Sequence, residues 1–167
     1  MDVVERARVF ATAAHAAVRQ LRKYTGEPYI VHPREVAGLV AAAPNATPAM
    51  IAAAWMHDVL EDTGVTEAEM REEFGDEVTD LVVWLTDVET GNRATRKRLA
   101  VERMSRAPVA AKTVKLADLV SNTSTIVKYD PNFAPTYLRE KREMLEVLTD
   151  GDAALFARAS ENIGASA

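Results

Sequence analysis

The run Ala54-Trp55-Met56-His57-Asp58-Val59-Leu60-Glu61-Asp62-Thr63 decides how this chain is read. An apolar segment that starts behind Thr47-Pro48 ends abruptly in four groups able to bind a metal or move a proton. Thr47 is a good helix cap and Pro48 suits a first helical position, so one helix is predicted to start there and carry the His57-Asp58 pair. If that helix continues to Asp62, residues four apart share a face. Glu61 then projects from the side of His57, and Asp62 from the side of Asp58. His57 and Asp58 can serve one ion, while Glu61 and Asp62 reach further along the same cleft. Two ligands do not hold a metal alone. His32, in Tyr29-Ile30-Val31-His32-Pro33, and Asp118, in Ala117-Asp118-Leu119, are the candidates for the others. Taken singly, a histidine on an apolar face or an acid in a helix is more often structural. Two His and two Asp together suit a hard or borderline ion such as Mn²⁺, Fe²⁺ or Mg²⁺.

Helical periodicity extends outward from this run in both directions, and no segment alternates as a strand. Val3, Ala7, Phe10, Ala14 and Ala17 predict a helix over about 3–22, broken by Thr25-Gly26-Glu27-Pro28. Pro33 opens a helix through Val40. Thr66 with Glu69 reads as a capping box for a short helix ending near Gly75. Further helices are predicted at about 76–87, 92–105, 108–127 and from Pro135 to about 149, with a last one after Asp150-Gly151. The expectation is a single all-α domain over 1–167, a bundle of about nine or ten helices with short connections.

Composition narrows the chemistry. There is no cysteine, which excludes disulfides, thiolate metal sites and a cysteine nucleophile. The start Met1-Asp2-Val3-Val4-Glu5-Arg6 lacks the apolar core of a signal peptide, and no apolar run reaches the ~18 residues of a membrane span. A cytoplasmic protein without a membrane partner is expected. The net charge of −5 hides a polarity: Glu61 to Glu89 holds eleven acidic residues and one basic, Arg71, whereas Arg93 to Lys115 holds eight basic and one acidic, Glu102. These are either solvated helix faces or, for the basic stretch, the lining of a polyphosphate site. The acidic balance argues against nucleic acid as a partner.

Three segments, in order, resemble a known family. Arg22-Lys23-Tyr24-Thr25-Gly26-Glu27-Pro28-Tyr29-Ile30-Val31-His32-Pro33 is similar to the N-terminal motif of the RelA/SpoT-type HD hydrolases. His57-Asp58-Val59-Leu60-Glu61-Asp62-Thr63 is similar to their HD motif and following Glu-Asp pair, and Val114-Lys115-Leu116-Ala117-Asp118-Leu119 with Asn122 and Thr125 to their third motif. The resemblance covers about residues 5–150 and implies an HD-domain helical bundle, here a stand-alone small alarmone hydrolase. It implies one Mn²⁺ held by His32, His57, Asp58 and Asp118. It further implies hydrolysis of the 3′-pyrophosphate of ppGpp or pppGpp to GDP or GTP and pyrophosphate.

In that reading Glu61 and Asp62 orient or deprotonate water, with Glu61 slightly favoured. Arg22 and Lys23 meet guanine or phosphate, Thr25, Asn122 and Thr125 bond ribose or phosphate, and Lys97 and Arg98 face the phosphates. His15 supports the site or the fold without touching the metal, and Tyr29 packs or helps form the pocket. One departure stands out: the family often has Gly-Gln before its Arg-Lys pair, and this chain has Arg19-Gln20. The tail beyond Asp150 closes the bundle or mediates homo-oligomer formation. Two other functions fit the same ligands: a phosphatase on another nucleotide such as NADPH, and a catalytically silent nucleotide-binding module.

Overall fold

The structure, a computed structural model, describes residues 1–164. The last three residues of the expected 1–167 domain lie outside the described residues. The described residues are all-helical, as expected, with nine helices and, in place of a sheet, one isolated antiparallel bridge between Leu21 and Pro28. None of these helices is long and apolar enough to cross a membrane. The chain divides into two compact units, Met1–Thr86 and Asp87–Ala167.

The first unit is built around the apolar helix predicted behind Thr47. Five helices compose it: α1 (Val3–Ala17), α2 (Val31–Ala41), α3 (Pro48–Met56), α4 (Val59–Asp62) and α5 (Glu67–Leu85). Thr47 caps α3, its hydroxyl accepting from the Met50 N–H at 3.2 Å. Ala52, Ala53, Ala54 and Met56 are wholly buried on α3, and α1, α2 and α5 all pack against it. Alanines on α3 and Ala7 and Ala11 on α1, also wholly buried, leave little side-chain bulk between the two backbones.

Two helices of this unit end where periodicity does not predict. The helix predicted over 3–22 stops at Ala17. Arg19 takes a left-handed conformation, φ 53°, and two bonds close the end: Arg19 N–H to the Ala16 carbonyl at 3.0 Å and Gln20 N–H to the His15 carbonyl at 3.2 Å. That is the Schellman pattern, which normally takes glycine at the left-handed position. An arginine there hides the stop from a sequence reading.

The second correction concerns the helix expected to run through His57. It is interrupted: α3 ends at Met56, Asp58 sits at φ −105°, ψ 0°, and the single-turn α4 starts at Val59. The His57 ring gives the reason. Its Nδ1 bonds the Ala54 carbonyl at 2.7 Å, the acceptor that a continuous helix would offer to the Asp58 N–H.

In α5 the predicted capping box is present, Thr66 and Glu69 bonding each other's backbone N–H. The break expected near Gly75 is a kink inside α5, where Gly75 has φ 79°. Arg71, the one basic residue of the acidic stretch, spans that kink by pairing with Glu67 before it and Asp76 and Asp80 after it.

The second unit contains α6 (Arg93–Ser105), α7 (Val109–Tyr129), α8 (Ala134–Leu145) and α9 (Ala153–Gly164). The long α7 is its spine, packed by α8 and α9, while α6 packs on α8. Gly151 is required by closeness: a Cβ there would stand 2.6 Å from Leu116 Cδ1 and 3.4 Å from the Lys112 backbone. Helix α8 ends at Leu145, four residues before the predicted limit, in turns that return Val147 and Leu148 N–H groups to Met144 and Leu145.

Candidate active site

The interruption at His57-Asp58 is what assembles the site in the first unit. Successive side chains on a helix diverge by about 100°, yet here the two converge, His57 Nε2 lying 3.0 Å from Asp58 Oδ2. His32, in the first turn of α2, joins them. Its Nε2 is 3.2 Å from His57 Nε2 and 3.7 Å from Asp58 Oδ2. Both imidazoles are buried, at 1% and 2% exposure. Because His57 Nδ1 donates to the Ala54 carbonyl, its Nε2 carries a lone pair in the neutral ring. Two ring nitrogens and a carboxylate oxygen thus meet at one point with donor chemistry that fits a borderline divalent cation.

Tyr29, expected to pack or to help form the pocket, bonds a member of this cluster. Its hydroxyl donates to Asp58 Oδ2 at 2.6 Å while its ring stands 5.9 Å from that of His32 and 4.9 Å from that of His15. Glu61 and Asp62 lie on the exposed side of α4. With the helix broken at His57-Asp58, the shared-face argument no longer links Glu61 to His57, whereas Asp62 N–H still bonds the Asp58 carbonyl one turn back at 3.0 Å. Asp62 is also tied to the end of α1, where Gln20 Nε2 donates to its Oδ2 at 3.0 Å. The Asp62 carboxyl is raised above its ordinary value, chiefly by desolvation; the Gln20 bond opposes this and the nearby Asp58 charge adds to it.

Arg22, Lys23 and Thr25 lie in the turn between α1 and α2. Bonds from Arg22 N–H to the Glu27 carbonyl and from Gly26 N–H to the Arg22 carbonyl hold it, at 2.8 and 3.0 Å. Thr25 Oγ1 accepts from Glu27 N–H, and Lys23 Nζ sits 5.1 Å from the Tyr24 ring centre.

In the second unit, Asp118 is buried on α7 between Lys115 Nζ, 3.0 Å from its Oδ2, and Asn122 Nδ2, 2.9 Å from its Oδ1. Thr125 Oγ1 bonds the Asn122 carbonyl one turn on. The basic stretch divides. Arg93 grips Glu140 through two bonds of 2.7 and 2.8 Å, Arg103 holds Asp87 and Glu89, Arg106 pairs with Glu102, and Lys112 with Asp150. These are structural pairs. Lys97 is half-buried, whereas Arg96 and Arg98 are exposed.

A residue that sequence reasoning passed over joins Lys97 here. Lys141 on α8 lies 4.9 Å from the Tyr137 ring centre. Burial, then the charges of Lys115 and Lys97, push its ammonium down to about 8 against the pull of Asp118 and Asp87. Nothing in the local sequence of α8 announces it, because the three lysines come from three helices.

Comparison with known proteins places these features. The HD domain family profile matches residues 7–147. The human guanosine-3′,5′-bis(diphosphate) 3′-pyrophosphohydrolase MESH1 is 37% identical over 123 residues, covering 73% of this chain and 68% of that protein. A probable guanosine-3′,5′-bis(diphosphate) 3′-pyrophosphohydrolase of Synechocystis sp. is 35% identical over 151 residues, 87% of this chain. The chain spans only 19% of that relative's length and 18% of a probable GTP pyrophosphokinase of Mycobacterium leprae that it also matches. A solved structure described as a metazoan ortholog of SpoT that hydrolyzes ppGpp matches with a TM-score of 0.90 at 25% identity, over 99% of this chain and 96% of that one. With the His57-Asp58 step at its centre and the family profile running through most of its length, the chain belongs to the HD domain family.

Proposed function

We propose that this protein is a Mn²⁺-dependent (p)ppGpp 3′-pyrophosphohydrolase, acting in the cytoplasm as a single HD phosphohydrolase domain. The observation that carries the proposal is the meeting of His32, His57 and Asp58 at one buried point in a chain 37% identical to a protein named for that activity. His32, His57, Asp58 and Asp118 would hold the ion. When bound, it supplies positive charge to a phosphoryl oxygen and acidifies water.

The chain's own side chains do the rest. Water adds across the bond between the 3′ oxygen and its phosphorus. The water oxygen bonds that phosphorus as the bond to the 3′ oxygen breaks, one water proton passes to a carboxylate, and the carboxylate returns a proton to the 3′ oxygen, which leaves GDP or GTP with a 3′ hydroxyl and free pyrophosphate. Asp62, rather than Glu61, is the acceptor we favour. Its raised carboxyl holds a proton more firmly than an ordinary aspartate. Glu61 then assists from the same turn. Arg22 and Lys23 meet guanine or phosphate, and Thr25, Asn122 and Thr125 bond ribose or phosphate. Lys97, with Lys141 beside it, binds phosphate. Arg98, on the exposed side of α6, contributes at most long-range charge.

The test offers purified protein ppGpp, pppGpp, GTP and NADPH with Mn²⁺ and resolves the products by anion exchange. Pyrophosphate from ppGpp or pppGpp is the expected result. Orthophosphate from NADPH alone would replace this reading with a phosphatase. Binding of ppGpp without turnover would replace it with a silent nucleotide-binding module.

A further inference from the structure

Gln20 and His15 lie outside every group assigned above to metal, substrate or proton transfer, yet they form a continuous link to Asp62. His15 occupies the last turn of α1 at 1% exposure, and its Nδ1 lies 2.8 Å from Gln20 Oε1. Gln20 Nε2 in turn lies 3.0 Å from Asp62 Oδ2, across 42 residues of sequence. The direction of every bond follows from elementary donor rules. An ionised carboxylate only accepts, so the amide must turn its N–H₂ toward Asp62 and its oxygen toward His15. His15 must then carry its proton on Nδ1. Its buried Nε2 meets no hydrogen-bond partner among the described residues, so Nδ1 carries the ring's hydrogen bonding.

The backbone reinforces the link. The left-handed Arg19 turns the chain so that Gln20 N–H returns to the His15 carbonyl, and the Gln20 carbonyl accepts from Tyr29 N–H at 3.1 Å. Gln20 is therefore held at its main chain from both sides and at its side chain by His15. It presents one N–H to Asp62 with little freedom to turn.

From this geometry we infer that His15 and Gln20 are a positioning pair for Asp62. They fix which face the carboxylate turns to attacking water and favour its ionised form. The inference rests on the proposed role of Asp62 in pyrophosphate hydrolysis. Neither residue touches substrate. The pair acts by presenting Asp62 in one orientation before substrate arrives, so its removal costs turnover and not affinity.

The experiment compares Gln20→Ala, Asp62→Ala and the double variant in ppGpp hydrolysis with Mn²⁺. Gln20→Ala should lower kcat by about 10- to 100-fold, as loss of an orienting partner does, and leave KM unchanged. In the Asp62→Ala background it should have no further effect. Additive losses, or a rise in KM with kcat kept, would overturn the inference. His15→Phe retains the ring against Tyr29 but removes the donor, and should lower kcat in the same way. His15→Asn, whose amide N–H₂ can stand where Nδ1 stood, should recover most of the rate; equal rates in the two would overturn the His15 link.

A second readout does not need turnover. In ¹⁵N-labelled protein the Gln20 side-chain amide signals, identified by their loss in Gln20→Ala, should move in both Asp62→Ala and His15→Phe. Signals unmoved in both would overturn the pair even in an active enzyme. Signals that move in a chain inert toward ppGpp would retain the pair and reject the hydrolase reading instead.

Discussion

The two units present their metal-binding candidates by opposite means. In the first, His57 and Asp58 are neighbours in sequence and meet because the helix breaks between α3 and α4. In the second, Lys115, Asp118 and Asn122 meet because α7 does not break: spacings of three and four put their side chains on one face of a 21-residue helix. A continuous helix brings together residues a turn apart, and only a departure from the helix brings adjacent ones together. The first arrangement gives a tight pair of candidate ligands. The second gives an acid whose two oxygens are held from both sides.

The comparison breaks most visibly if either acid proves dispensable. Asp58→Ala should reduce pyrophosphate release to background and weaken Mn²⁺ binding by more than about tenfold, the scale expected when a metal site loses a supporting group or more. Asp118→Asn should do the same while the protein keeps its helical signal in circular dichroism. Calorimetric titration with Mn²⁺ checks both. A variant that binds the ion as tightly as the parent removes that residue from the ligand set.

The same contrast explains what could be read from the sequence. That Asp118, Asn122 and Thr125 share one helix was legible because α7 obeys helical spacing throughout, while the roles proposed for Asn122 and Thr125 came from the family resemblance alone. The capping box at Thr66 and Glu69 was legible because it is local. The convergence of His57 on Asp58 was not, since a histidine ring that captures the Ala54 carbonyl leaves no mark on hydrophobic periodicity. Nor was the Gln20–Asp62 bond, which depends on α1 ending at Ala17 through a left-handed arginine. The family pattern, which often has glycine at that place, held the one clue. Lys141 was illegible for a different reason: its environment is set by Lys97 and Lys115 on other helices.

Lys141 sharpens the comparison in the second unit, because here burial and charge work against folding. Its ammonium is charged below about 8 and neutral above, while in the unfolded chain it would hold its proton to about 10.5. Between those values the unfolded chain binds more protons, so this group's contribution to stability rises with pH and is unfavourable at pH 7. Lys141→Met should therefore raise the melting temperature at pH 7. It should also raise KM for ppGpp by about tenfold, through loss of a charge-assisted contact to phosphate. In the parent KM should climb as pH passes about 8, and in Lys141→Met that climb should flatten. A pH series of KM decides it: an unchanged KM at pH 7 would make Lys141 a structural residue.

The smallest effect belongs to the first unit and concerns the turn on which its geometry depends. Arg19 holds a left-handed conformation that costs a non-glycine residue about 1–2 kcal/mol, and it does so to close α1 and aim Gln20. Glycine adopts that conformation freely but loses about 0.5–1 kcal/mol more backbone entropy on folding. The difference leaves Arg19→Gly more stable by about 0.5–1 kcal/mol, a rise in melting temperature of about 1–4 °C for a chain of this size. Arg19→Val, branched at Cβ and unsuited to positive φ, should move the other way. If Arg19→Gly lowers the melting temperature, α1 does not end by this turn in solution. The break at His57-Asp58 would then shape the first unit's site without help from the end of α1.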